Sequence, residues 1–139
     1  MNRIWKKTIA VVGVAAGIAL WASRTPLLAH HSFAVYYLES DTIEIDGNVV
    51  EFQYKNPHAW IFVQGTERPG DQPKIYAAEW VSVSQLDRAG IPKNFFKVGD
   101  GLRIWASPNK NPTDNRVRLK RMERRSDGWR WAGGRGDTR

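Results

Sequence analysis

Five stretches rich in β-branched and aromatic side chains, separated by turn residues, most constrain what this 139-residue chain can fold into. In the first stretch, Ile43, Ile45 and Gly47 alternate with polar residues, which is typical of a strand with one buried face. Gly47 lies inside this pattern, where a glycine often marks a bulge or a sharp bend. The predicted strands cover residues 42–54, 58–64, 74–83, 102–106 and 116–124.

A short helical segment, residues 84–90, lies between the third and fourth predicted strands, with Ser82 or Ser84 as N-cap and Gly90 as its end. Three strands, a short helix and two strands is the order of the five-stranded Greek-key barrel called the OB-fold. We therefore predict a mostly β, OB-like barrel, with a small unrelated β-sandwich or roll as the alternative. Residues 33–38 predict a short strand or extended arm ahead of it.

The first 29 residues have the composition of a secretory signal peptide. Basic residues near the start precede an uncharged run at residues 8–22, and a short polar stretch then leads to Ala29. The uncharged run is shorter than the roughly 20 residues that span a bilayer. We expect a signal-peptide helix that is cleaved after Ala29 and a protein exported to the periplasm. Cleavage after Ala22 and an uncleaved inner-membrane anchor are the alternatives.

The composition excludes several classes of function. Cysteine is absent, which excludes disulfides, thiolate zinc sites and cysteine nucleophiles. The sequence has no G-x-S-x-G motif and no phosphate-binding glycine loop, and we expect no enzyme. The formal net charge of +7 is concentrated in the signal and in residues 116–139, so a barrel domain at residues 30–124 is not basic as a whole. We expect no nucleic-acid partner, and the protein partner, if one exists, is unknown.

Residues 125–139 form a tail rich in arginine, glycine and tryptophan. Chain ends of this composition are usually solvated, and we expect this tail to be flexible. Its positive charge suits contact with an anionic membrane surface.

The three histidines are the residues whose pattern most suggests chemistry. Cleavage after Ala29 makes His30 the N-terminal residue, whose free amine and imidazole Nδ1 can chelate one metal ion. Imidazoles from His31 and His58 would add nitrogen ligands, and a nitrogen-rich set suits Cu(II). If residues 33–38 form a hairpin with the first strand, His30 lies near Glu51. If the first strand also pairs with the second, His58 lies near Gln53, which is next to Glu51 on the same face. We therefore predict a copper site at His30, His31 and His58, with structural or incidental histidines as the alternative.

The strand tryptophans suggest a second kind of site. Trp60 and Trp80 lie on the second and third predicted strands, where OB-folds bind ligands by stacking. Glu79 lies mid-strand beside Trp80, either paired with a basic residue or lining a pocket. These residues predict a non-metal binding module for a glycan, a small ligand or a protein partner, although core packing also explains the tryptophans.

Several motifs follow one another in a specific order: HHSF at residues 30–33, GNVVEF at residues 47–52 and NPHAW at residues 56–60. With Glu79-Trp80, Gly90 and VGD at residues 98–100, they resemble a family of small exported bacterial proteins of unknown function. The resemblance covers roughly residues 29–123. It implies an OB-like fold and export, and it brings no established activity.

Overall fold

The computed structural model describes residues 32–133, with side chains from Phe33 onward. Within this range the chain forms two short helices, α1 and α2, and six strands, β1 to β6. The elements in chain order are α1 (Ser32–Tyr36), β1 (Ile43–Gln53), β2 (Trp60–Thr66), β3 (Lys74–Glu79), α2 (Val83–Arg88), β4 (Gly101–Pro108), β5 (Arg116–Arg124) and β6 (Arg130–Ala132). No helix in the described part of the chain is long and apolar enough to cross a membrane.

The first five strands close into a barrel. They lie in the order β3-β2-β1-β4-β5, and β3 also pairs with β5, which joins the two ends of the sheet. All pairings are antiparallel except β3 with β5, which is parallel and joins residues 77–79 to residues 116–118. This strand order, with α2 between β3 and β4, is that of an OB-like barrel and confirms the predicted fold class.

The long strand β1 belongs to both halves of the barrel. Residues 43–48 pair with β4, and residues 46–53 pair with β2. The register with β2 shifts between Val49 and Glu51, two residues beyond the glycine at which a bulge was expected. Gly47 instead lies opposite Gly65, where the two backbones approach closely. The glycine therefore permits close strand contact, and the bulge lies further along the strand.

Alternating side chains of the strands fill the barrel interior. In β5, Val117 and Leu119 are buried, and simple alternation would bury Arg121 next, but the next buried residue is Met122 and Arg121 is exposed. The register between β4 and β5 shifts at Trp105 and Ala106, so β5 contains one additional residue at this point. Buried and exposed side chains then alternate again. The Arg121 guanidinium carbon then lies over the Trp105 ring, 3.8 Å from the ring centroid.

The helix α2 matches its prediction closely. Ser82 is the N-cap, and its backbone N–H donates to the side-chain oxygen of Gln85. Gly90 follows the helix in the left-handed region, with φ of 71°. Leu86 is fully buried and fixes the helix to the barrel.

Two segments differ from their predictions. Residues 33–38 do not form a strand beside β1: most of them form the single turn α1, in which the Tyr37 N–H donates to the Phe33 carbonyl. Part of the segment assigned to a flexible tail forms β6, which pairs with β5 and buries Trp131. Residues 134–139 lie outside the described range. In both segments, contacts between aromatic residues and distant parts of the chain outweigh local sequence preference.

Candidate functional site

His58 lies in the turn between β1 and β2, next to Ala59. The Ala59 N–H donates to the Val81 carbonyl and the Trp80 N–H donates to the Ala59 carbonyl, each at 2.9 Å. These two hydrogen bonds continue the pairing of β2 and β3 beyond the strand ends. They hold His58 beside Glu79, the last residue of β3.

Glu79 connects two other side chains. Its Oε1 lies 2.6 Å from His58 Nδ1, and its Oε2 accepts a 2.7 Å hydrogen bond from the Tyr37 hydroxyl. The side chains of His58 and Glu79 are 31% and 14% exposed, so solvent reaches the histidine more than the carboxylate. A carboxylate only accepts hydrogen bonds, so Nδ1 carries the proton toward Glu79. In the neutral ring the lone pair is then on Nε2.

Tyr37 anchors α1 to the barrel. It is buried and forms an isolated β-bridge with Asn109, in the loop after β4. Burial raises the pKa of the Tyr37 hydroxyl, and the hydrogen bond to Glu79 and the charge of that carboxylate raise it further. Tyr37 therefore stays protonated and continues to donate to Glu79 well above neutral pH.

Phe33 links this group to β5. Its ring centroid lies 5.3 Å from that of His58, and the Arg118 guanidinium carbon lies 3.3 Å from the Phe33 centroid. Such a contact between a cation and a ring face is stabilising. We call His58, Glu79, Tyr37, Phe33 and Arg118 the histidine cluster.

Sequence reasoning identified part of this cluster. The structure joins His58 and Glu79, which were predicted for two different sites, and shows that Glu79 pairs with a histidine. His30 and His31 lie outside the described residues. Tyr37, Phe33 and Arg118 were missed, because α1 and β5 supply them from distant parts of the sequence and no local motif marks them.

The registers used to bring the histidines together in the sequence analysis differ from those observed. The partner of Gln53 is Trp60, so His58 stands outside the ladder, and α1 does not pair with β1. In residues 33–133, no group of three histidine, aspartate or glutamate side chains is placed to hold a metal ion. His58 is thus a single candidate ligand within the described chain.

Trp60 and Trp80 do not form the exposed aromatic face that was predicted on the second and third strands. Trp80 is 3% exposed and belongs to the core, because it continues the buried alternation of Tyr76 and Ala78. It packs against Phe52, Phe96 and Trp131. Trp60 is half-buried at the start of β2 and pairs with Glu79 in register.

A family model matches residues 19–118, which is most of the chain. The chain belongs to DUF6152, a family of unknown function. This membership confirms the resemblance seen in the sequence, and the DUF6152 match includes all three histidines and Glu79. No curated protein matches the chain.

Among solved structures, the chain is similar to Rim1, a mitochondrial single-stranded DNA-binding protein from S. cerevisiae. The likeness has 13% sequence identity and a TM-score of 0.45, and it covers 61% of this chain and 93% of Rim1. The assignment of the OB-like fold rests on the strand order of the barrel itself.

Proposed function

We propose that this protein is an exported metal-binding module that holds Cu(II) through His58 together with His30 and His31. The observation that supports this most is the 2.6 Å contact between His58 Nδ1 and Glu79. Metal-binding histidines typically donate their second ring nitrogen to a carboxylate, which fixes the tautomer and increases the basicity of the ligating nitrogen. His58 has this partner, and its Nε2 forms no hydrogen bond with the residues that the structure describes, so it can act as a ligand.

Chain connectivity adds support for the other two histidines. The ring of Phe33 packs beside His58, and His31 precedes Phe33 by only two residues. An extended chain spans about 3.5 Å per residue, so a link of two residues is short enough for His31 to contribute to a site beside Phe33. A mature chain starting at His30 would add an amine and an imidazole on one residue, and such nitrogen-rich sets favour Cu(II).

The first experiment determines the mature N-terminus of the exported protein by intact-mass spectrometry. We expect a mass that matches a chain starting at His30. The purified protein is then titrated with Cu(II) while the d–d absorption and the EPR spectrum are recorded. We expect one equivalent to bind tightly, with nitrogen hyperfine structure from imidazole.

Two variants test the ligands separately. His58→Asn keeps a polar side chain of similar size and is expected to weaken Cu(II) binding at least tenfold. One alanine inserted before His30 keeps every side chain but moves the terminal amine, and it should also weaken binding strongly. Binding no tighter than that of the urea-unfolded protein, or unchanged affinity in both variants, would overturn the proposal.

A further inference from the structure

A cleft of about 420 Å³ lies where β3, β5, β6 and α2 meet. Its lining includes Glu79 from β3, Gln85 from α2, Arg118 and Lys120 from β5, and Trp131 from β6. A volume of this size is within the usual range for sites that hold small molecules. The part of the chain that was expected to be a flexible tail supplies one wall.

Lys120 also lines the cleft, and its ammonium forms no ion pair among the residues that the structure describes. Its ammonium donates three hydrogen bonds, to the carbonyl oxygens of Glu39 and Asp41 at 2.9 and 2.7 Å and to the Thr42 hydroxyl at 2.8 Å. All three acceptors are neutral, and together they use all three ammonium donors. Lys120 is therefore held in place as a fixed charge.

Arg118 brings a second positive charge. Its guanidinium lies over the Phe33 ring, and it takes part in none of the ion pairs found among residues 33–133. Stacking on an aromatic ring occupies the face of the guanidinium and leaves its in-plane N–H donors for a ligand. A planar guanidinium binds a carboxylate through two parallel hydrogen bonds.

Glu79 is the carboxylate on the cleft wall, and both of its oxygens already accept hydrogen bonds from Tyr37 and His58. The lining thus holds two cationic side chains and one carboxylate whose oxygens have partners. This balance favours an anionic ligand.

The remaining wall is apolar. Trp131, Val81 and Ala132 line the cleft beside the two cations. Apolar lining with a few convergent polar groups is typical of sites for small organic molecules. We propose that this cleft binds a small organic carboxylate, with the carboxylate held by Arg118 in the field of Lys120 and the hydrocarbon part against Trp131. This proposal does not depend on metal binding by His58.

The test uses benzoate as the probe, with benzamide as its neutral analogue and inorganic phosphate as a compact anion. Each compound is titrated into the purified ¹⁵N-labelled protein, and amide and indole N–H signals are followed by NMR. Benzoate is expected to give saturable shifts at the Trp131 indole and at residues 118–120 and 132–133. Benzamide and phosphate are expected to bind at least tenfold more weakly.

Two variants locate the binding site by its charge. Gln85→Glu adds a negative charge to the cleft wall, and it preserves the helix cap because Glu is the other residue typical of that capping position. It should weaken benzoate binding about tenfold. Ser84→Glu adds the same charge at an exposed position of the same helix outside the cleft and should change the affinity less than twofold. Arg118→Gln should reduce the affinity about tenfold or more, with folding checked by near-UV circular dichroism.

Each of the following outcomes would contradict the proposal. Absence of saturable shifts at the cleft shows that benzoate does not bind there. Equal affinity for benzoate and phosphate would show a general anion site, and equal affinity for benzoate and benzamide would show that the carboxylate is not recognised. Equal losses in Gln85→Glu and Ser84→Glu would indicate a long-range charge effect.

Discussion

Trp131 packs edge-on against Trp80, with ring centroids 5.1 Å apart and an interplanar angle of 80°. The contact connects β6, near the end of the described chain, to the residue that follows β3. The parallel pairing that closes the barrel joins only three residues of β3 to β5, so the two tryptophans add apolar contact beside a short junction. β6 is thus a structural part of the barrel.

Replacing Trp131 with alanine should destabilise the fold substantially. Trp131 is 7% exposed, and truncating a buried aromatic side chain costs about 3 kcal/mol or more. Urea unfolding followed by far-UV circular dichroism measures this loss. Arg130→Ala is the matched control, since its side chain is 65% exposed and its ion pair with Glu123 is worth under about 1 kcal/mol. Equal unfolding midpoints for the two variants would show that β6 does not support the barrel.

Gly47→Ala should destabilise the protein although it adds only one methyl group. A Cβ at Gly47 would lie 2.6 Å from the Gly65 Cα and closer still to the Gln64 carbonyl oxygen. Both atoms belong to the backbone of β2, so the strands must separate, and overpacking of this kind costs about 1–3 kcal/mol. Chemical denaturation measures the change. Gln64→Ala, at an exposed position of the same strand, should stay within about 0.5 kcal/mol of the parent.

Three tyrosines, Tyr37, Tyr54 and Tyr76, should ionise at a higher pH than tyrosine in an unfolded chain. Burial and a hydrogen bond to Glu67 raise the pKa of Tyr76, and Tyr37 is raised by burial and by Glu79. The hydrogen bond to Asp87 raises the pKa of the half-buried Tyr54 to about 12. Absorbance at 295 nm during an alkaline titration measures the fraction ionised. Asp87→Asn should lower the pKa of Tyr54 and leave that of Tyr37 unchanged.

The same shifts predict how stability depends on pH. Below a pH of about 10, the ordinary pKa of tyrosine, these hydroxyls are protonated in both the folded and the unfolded states. Above it, the unfolded chain loses these protons first, so the free energy of unfolding falls as pH rises. Urea midpoints measured from about pH 9 to about pH 11, on either side of the ordinary tyrosine pKa, test this. A midpoint that rises over this interval would contradict the assigned hydrogen bonds.

Glu79→Gln tests whether the carboxylate supports His58 as a metal ligand. Removing such a partner typically reduces metal affinity about 10- to 100-fold. The variant should therefore bind Cu(II) more weakly than the parent, while retaining an EPR spectrum with nitrogen ligands. Glu123→Gln, on β5 away from the histidine cluster, is the control for loss of one negative charge. Equal affinities in the two variants would show that Glu79 does not act on the metal.

The sequence analysis was accurate where local patterns determine the structure. The alternation in β1 and the capping residues around α2 are encoded within a few neighbouring residues, so strand order and fold class followed from them. It failed where contacts between residues distant in the sequence determine the structure. The exposure of Arg121 follows from a register shift against β4, and the role of Tyr37 depends on Glu79, 42 residues further along the chain.

The site was predicted less well than the fold for the same reason. His58 and Glu79 were selected by residue type, but their pairing requires the backbone hydrogen bonds between Ala59 and β3. No spacing rule links these two positions. Arg118 had no distinguishing feature among the basic residues of β5, and only its placement over Phe33 sets it apart.

The late position of β6 has a consequence for how the chain acquires its structure. The residues that complete the barrel, from β5 through Trp131, come at the end of the described sequence. Their partners, in β3 and at Trp80 just after it, come about forty to fifty residues earlier. A growing polypeptide that stops short of residue 131 lacks part of its core. Contacts between such distant residues also slow folding, because long loops must close before they form. The domain therefore reaches its full stability only when residue 131 is available to complete the core.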